Sequence, residues 1–352
     1  MALIKQTKQL IDYTVDCNLF YGMLSADAFY GSLREEGVTH PLVVLSTEKK
    51  RAKIRSLLKR IAPFDISIIE YGKDDCSLEN LQLVYSNGKC DAIIACGNQQ
   101  AYEISSALCR TLSGAEPYTL PAGWILFGHH SISCHQVQAL VIDARFAIFT
   151  DAHELASIAC ASFFDLTTSI IEAGHVFMES MVSVGLSLLS QVYTTTKANR
   201  VATQNGQTAT NILYAEYCAG LCAQNRRTTA LVHLAETLVV SGWTNLHEVK
   251  AALSLSNLSF LRQEQMQTYE ALTLLSDGTD PIELAFALIS AADFTSIVPK
   301  IEQLCRKGIV FMKNLHAKEG VTPLLQFMAD HPNLKIQNGE LPSKSDSLRR
   351  SR

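Results

Sequence analysis

Residues 40–112 hold three apolar runs at regular intervals: His40-Pro-Leu-Val-Val-Leu45, Ile66-Ser-Ile-Ile-Glu70 and Cys90-Asp-Ala-Ile-Ile-Ala95. In the first of them the apolar residues are consecutive rather than alternating, the pattern of a strand covered on both faces. Helix-length stretches separate them, Lys49–Ile61 and Leu78–Tyr85, and Ala101–Leu112 follows the third run. This β-α-β-α-β alternation predicts a parallel, Rossmann-like sheet with helices on both faces. Upstream, Asn18-Leu-Phe-Tyr21 is a short apolar piece, and residues 24–36 read as a helix ending near Gly37. Downstream, Val137–Ile142 and Ala147–Phe149 read as further strands that complete the sheet.

Beyond about Ala152 the pattern changes to helical periodicity rich in Ala, Leu and Ser. It is broken at Gly174, Asn205-Gly206, Ser241-Gly242, Asp277-Gly278 and Asp280-Pro281. The fold class expected is an α/β N-terminal domain over residues 15–150 and an all-α C-terminal domain over 151–335. The tail, 336–352, is polar with little to bury and is expected to be disordered.

With 30 Lys+Arg against 34 Asp+Glu, the net charge of −4 gives no basic footprint for nucleic acid. No apolar run is long enough for a membrane span. Ten cysteines are scattered without a Cys-x-x-Cys pair, and the N-terminus lacks a signal-peptide apolar region. These features predict reduced thiols in a cytoplasmic protein. A homo-oligomer is left open.

Two places carry candidate chemistry. The first follows the third strand: Gly97-Asn98-Gln99-Gln100, then helix. Strand, tight turn and helix N-terminus form the layout that holds a pyrophosphate, because free N–H groups and the helix dipole favour an anion. Side chains at 98–100 work against close backbone approach, so an ordinary βα turn is the competing reading. Lys49, Lys50 and Arg51 lie where a 2′-phosphate could be met. They read better as a solvated basic face.

The second is Leu231–Leu253, with His233 and His247 on consecutive helices and thirteen residues between them. Asn245, with Glu248 three residues on, reads as a capping box that puts His247 in the first turn of its helix. Asp165 and Ser169 stand at i, i+4 on an upstream helix. One Asp and two His suit a divalent metal with an open position, although spacing alone favours hydrogen-bonded core histidines. His129-His130 and Cys134-His135 read as loop residues rather than ligands.

Over about residues 15–330 the chain resembles the iron-type alcohol dehydrogenase superfamily, which includes glycerol dehydrogenase and dehydroquinate synthase. The family's Asp-Ala-Leu-Thr-His-Ala-Ile-Glu-Ala is matched by Asp165-Leu-Thr-Thr-Ser169-Ile-Ile-Glu-Ala173. Its Leu-Val-His-Ala-Leu-Ala-His is matched by Leu231-Val-His233-Leu-Ala-Glu-Thr237, and its Pro-His-Gly by Leu246-His247-Glu248. Tyr214-Ala-Glu-Tyr-Cys-Ala-Gly220 resembles the small-residue helix before the first of these histidines. The resemblance implies that Asp165, His233 and His247 hold a divalent metal. Ser169 stands where iron-type members have a histidine, which shifts the expected ion from Fe²⁺ to Zn²⁺. It implies NAD(P) at Gly97, Asn98, Gln99 and Gln100, where the family has Gly-Gly-Gly-Ser. The family's Pro-Thr-Thr-Ala-Gly-Thr-Gly-Ser-Glu loop is largely absent from Pro117–Gly128.

The expected function is therefore a divergent metal-dependent alcohol or polyol dehydrogenase of reduced activity, acting on a small alcohol or carbonyl. No catalytic acid or base is assigned. The alternative is a non-catalytic member serving as a binding or assembly module.

Overall fold

The apolar runs form strands because each alternates its buried side chains between two helical layers. A computed structural model of the chain describes residues 18–46, 51–97, 99–112, 118–121, 139–172, 176–199, 205–225, 230–240, 245–296, 298 and 300. Its first half contains β1 (Asn18–Tyr21), α1 (Ser25–Glu35), β2 (Pro41–Ser46), α2 (Arg51–Ile61), β3 (Ser67–Glu70) and α3 (Leu78–Asn87). Next come β4 (Ala92–Gly97), α4 (Gln99–Leu112), β5 (Tyr118–Pro121), β6 (Ala139–Ile142) and α5 (Ala144–Ala147). The strands lie in the order β1-β6-β5-β4-β2-β3, all parallel. The strand at 147–149 expected from the sequence does not form: α5 ends at Ala147, and its turn continues with Phe149 N–H bonded to Phe146 C=O. β5 has no counterpart among the strands that the sequence predicts.

Val43, Leu45, Ile94, Cys96, Ala139 and Val141 face one side, packed against Phe29, Leu33, Ile54 and Leu58 of α1 and α2. Leu42 and Ile93 face the other, with Leu81 of α3 and Leu108 of α4. Val44, Ala95, Leu140 and Ile142 share that second face and join the core of the helical half. The period of two is thus kept strand by strand.

The remaining described elements are all helices: α6 (Ala152–Glu172), α7 (Val176–Asn199), α8 (Gly206–Asn225), α9 (Ala230–Val240), α10 (Leu246–Glu264), α11 (Met266–Leu275) and α12 (Pro281–Ala291). α6 runs through their middle, buried almost throughout from Leu155 to Ser169, and packs against α7, α8, α9, α10, α11 and α12. Among the described residues no helix is long and apolar enough to cross a membrane. The tail expected to be disordered, 336–352, lies outside the described residues.

At the end of the first half, Asp143 ties the start of α1 to the start of α5. Its fully buried carboxylate accepts from Ala26 N (3.0 Å) and Arg145 N (2.8 Å), and from Arg145 Nε (3.0 Å) and Nη2 (2.7 Å). Arg145 also pairs with Asp27. Burial works to raise the Asp143 carboxyl, but the Arg145 guanidinium and the two backbone donors hold it below the usual carboxylate range. Its stabilisation is therefore present above the unfolded carboxyl value near 4 and is lost as pH falls below it. Asp143→Asn is expected to cost about 2–4 kcal/mol at pH 7, through a broken buried pair and weakened caps. Urea unfolding across pH checks this: the gap to the parent protein should close below about pH 4.

Candidate functional site

α10 begins as the sequence predicts. Asn245 caps it, its Oδ1 accepting from His247 N (3.0 Å) and Glu248 N (3.4 Å), while its Nδ2 donates to Glu248 Oε1 (3.2 Å). This fixes His247 in the first turn, 6% exposed. One helical turn further, Lys250 lies on the same face, also 6% exposed. Its Nζ donates to Asp165 Oδ2 of α6 at 2.6 Å and lies 6.0 Å from the Phe164 ring centroid, within cation–π range. Asp165 is 4% exposed. Around it the hydroxyls of α6 turn back on their own helix: Thr167 to Phe163 O, Thr168 to Phe164 O and Ser169 to Asp165 O. Ser169 thus uses its hydroxyl inside α6.

Burial first, and then the Lys250 ammonium, push the His247 imidazole down to about 3 against the opposing pull of the Asp165 carboxylate. His247 is therefore neutral throughout the ordinary pH range. Of the three expected ligands, Asp165 and His247 lie close enough to act on each other electrostatically. α9, which carries His233, packs against both α6 and α10. The side chains of His233 and Thr237 lie outside the described residues.

Does this arrangement fit a divalent metal? An ion on Asp165 would sit ~2 Å from its oxygen. The Lys250 ammonium already fills that direction at 2.6 Å. Repulsion between unit charges ~4 Å apart is about 4 kcal/mol at an effective dielectric constant of ~20, and about twice that for a dication. The described side chains do not fit a metal while Lys250 holds Asp165. Among the described residues no group of three His, Cys, Asp or Glu could hold an ion. Lys250 is the residue that sequence reasoning misses. The available signal is a lysine at i+3 from His247 within Val249-Lys250-Ala-Ala-Leu253, where every neighbour is apolar.

The second candidate place lies at the C-terminal end of β4. Connections leave β2 towards β3 and leave β4 towards β5, in opposite directions, so the ends of these adjacent strands form the topological switch point of the sheet. Ser46 and Gly97 are its two lips, paired as the last residues of the β2–β4 ladder. Gly97 has φ +130, and a Cβ there would lie 1.9 Å from Ser46 O. The glycine is required by the backbone of β2, whatever binds beyond it. Gln100, in the first turn of α4, accepts from Ser46 Oγ at 3.4 Å and so reaches over the end of β2. α4 has no acidic residue in its first turn, which keeps its N-terminus favourable to an anion. Asn98 and the side chain of Gln99 lie outside the described residues, as do Lys49, Lys50, the side chain of Arg51, His129-His130 and Cys134-His135.

No protein-family model matches the sequence. No curated protein sequence matches it either. Solved structures do. The iron-containing alcohol dehydrogenase of Corynebacterium glutamicum superposes with a TM-score of 0.66 at 11% identity, covering 90% of this chain and 94% of that one. Maleylacetate reductase of Agrobacterium tumefaciens gives 0.64 at 11%, covering 90% and 95%. Sulfoacetaldehyde reductase of Bifidobacterium kashiwanohense, solved with NAD⁺, gives 0.62 at 13%, covering 97% and 98%. A parallel six-stranded sheet joined to a helical half around α6, superposable on these enzymes over nine-tenths of its length or more, gives this chain the fold of the iron-containing alcohol dehydrogenases.

Proposed function

We propose that the chain is a nicotinamide-dependent oxidoreductase of small alcohols or carbonyls, with its dinucleotide in the crevice beyond β2 and β4. The observation that carries this reading is the switch point at Ser46 and Gly97, with the N-terminus of α4 at its edge. Ligands of open α/β sheets bind at such a crevice. Bound there, NAD(P) would supply or accept the hydride. The α4 amides would face its pyrophosphate, and Gly97 keeps the strand ends close enough to form the crevice floor. Asp165, His233 and His247 are the residues a Zn²⁺ or Fe²⁺ ion would need, and Lys250 stands against that ion. The seven described cysteines are all free thiols, in keeping with a cytoplasmic setting.

A second reading, a non-catalytic binding or assembly module, is favoured by one observation: Gln100 lies over the end of β2, where a phosphate would approach. Titration of the full chain with NADH and NADPH, followed by protein fluorescence, separates the two. Saturable binding with a dissociation constant on the order of 0.1 mM is expected, within the range typical of enzyme substrates. No saturation with either nucleotide would leave only the second reading.

A further inference from the structure

We propose that Lys250 takes the place of the divalent ion, so that the site is organised around an ammonium held by Asp165 and excludes a metal. This concerns the site of the proposed function but rests on the ion pair, not on turnover. Three independent observations converge on it. Lys250 Nζ meets Asp165 Oδ2 at 2.6 Å with both side chains buried, so the carboxylate has its counter-cation from the chain itself. The ammonium comes from the same face of the same helix as His247, one turn on, and acts electrostatically on that imidazole, as Asp165 does, so it stands between two of the three expected ligands. Ser169, which stands where a fourth ligand would, spends its hydroxyl on Asp165 O at 2.6 Å.

The chemical consequence follows from charge and donor type. A dication needs deprotonated ligands gathered around it and must be acquired from solution. A lysine is always in place, carries one positive charge and offers N–H donors rather than an empty coordination position. An oxygen brought to this point meets a hydrogen-bond donor instead of a Lewis acid. The lysine also explains why the other histidines of the family's metal helices are dispensable here: Ser169 and Thr237 stand in their places.

The test uses the full chain, loaded with Co²⁺ or Zn²⁺ and desalted. The parent protein is expected to retain well under one ion per chain. Lys250→Met should gain a site of one Co²⁺ per chain, with visible ligand-field bands and an affinity about 100-fold or more above the parent, as removal of the like charge requires. Adding Asp165→Asn should abolish the gain. If Lys250→Met fails to fold, Lys250→Gln carries the same test, since it keeps an N–H donor for Asp165 without the charge. One ion per chain in the parent protein, lost in Asp165→Asn, overturns the proposal. So does a folded Lys250 variant that gains no metal. Nucleotide binding is not read in this experiment, so its outcome is separable from that of the proposed redox function.

Discussion

Lys250→Met lowers the free energy of unfolding by about 3–5 kcal/mol, the cost of leaving one partner of a buried ion pair uncompensated. The cause lies in α6. This helix is buried almost throughout, and the hydroxyls of Thr167, Thr168 and Ser169 beside Asp165 are satisfied by its own carbonyls. A carboxylate on such a helix must be paired, because an isolated charge in an apolar interior is far costlier than a paired one. Lys250 supplies the pairing at 2.6 Å. Asp165→Asn alone should cost a similar amount, by leaving the ammonium buried. The double variant, Lys250→Met with Asp165→Asn, should return to within about 1–2 kcal/mol of the parent, since an uncharged pair carries no desolvated charge. Urea unfolding of the four proteins measures this cycle. Single variants that each cost under about 1 kcal/mol, and that add without coupling, would show that the pair is solvated.

The second large effect is at Gly97. Gly97→Ala is expected to destabilise by on the order of 3 kcal/mol, from an unfavourable positive φ together with overpacking. At φ +130 an L-residue is strained before any contact is counted. The added Cβ would then meet Ser46 O at 1.9 Å, and the obstacle is backbone, which cannot rotate away. Gly278→Ala separates the two causes. Gly278 has φ +78, and a Cβ added there would meet nothing within 4 Å, so it carries only the backbone cost, about 1 kcal/mol. A Gly97 variant no worse than the Gly278 variant, in thermal or urea unfolding, would contradict the close approach of β2 and β4. Because Gly97 serves the sheet itself, loss of nucleotide binding in its variants would report on folding as much as on the site.

The strands at 42–45 and 93–96 were legible because continuous burial leaves a continuous apolar run. The α10 cap was legible because Asn245 and Glu248 stand at the capping-box spacing. β5 was not, since Tyr118-Thr-Leu-Pro121 has no apolar run and ends in proline, and only its place between β4 and β6 makes it a strand. Ala147–Phe149 misled because three apolar residues read alike in a strand and in a buried turn, and the Asp143 cap decided for the turn. Gly97 was visible as a glycine, but its reason, Ser46 across the ladder, is a non-local contact. Lys250 was hidden by a sound general rule, that lysines are seldom fully buried. Only its partner on α6, 85 residues earlier in the chain, shows why this one is.

Amide hydrogen exchange with and without NADH tests the central claim most directly, because it asks where the nucleotide sits without presuming a substrate. Added protection is predicted to be confined to the end of β2, the end of β4 and the first turn of α4, around Ser46, Gly97 and Gln100–Glu103. Unchanged exchange in these segments at saturating NADH, or protection only elsewhere in the chain, would contradict it.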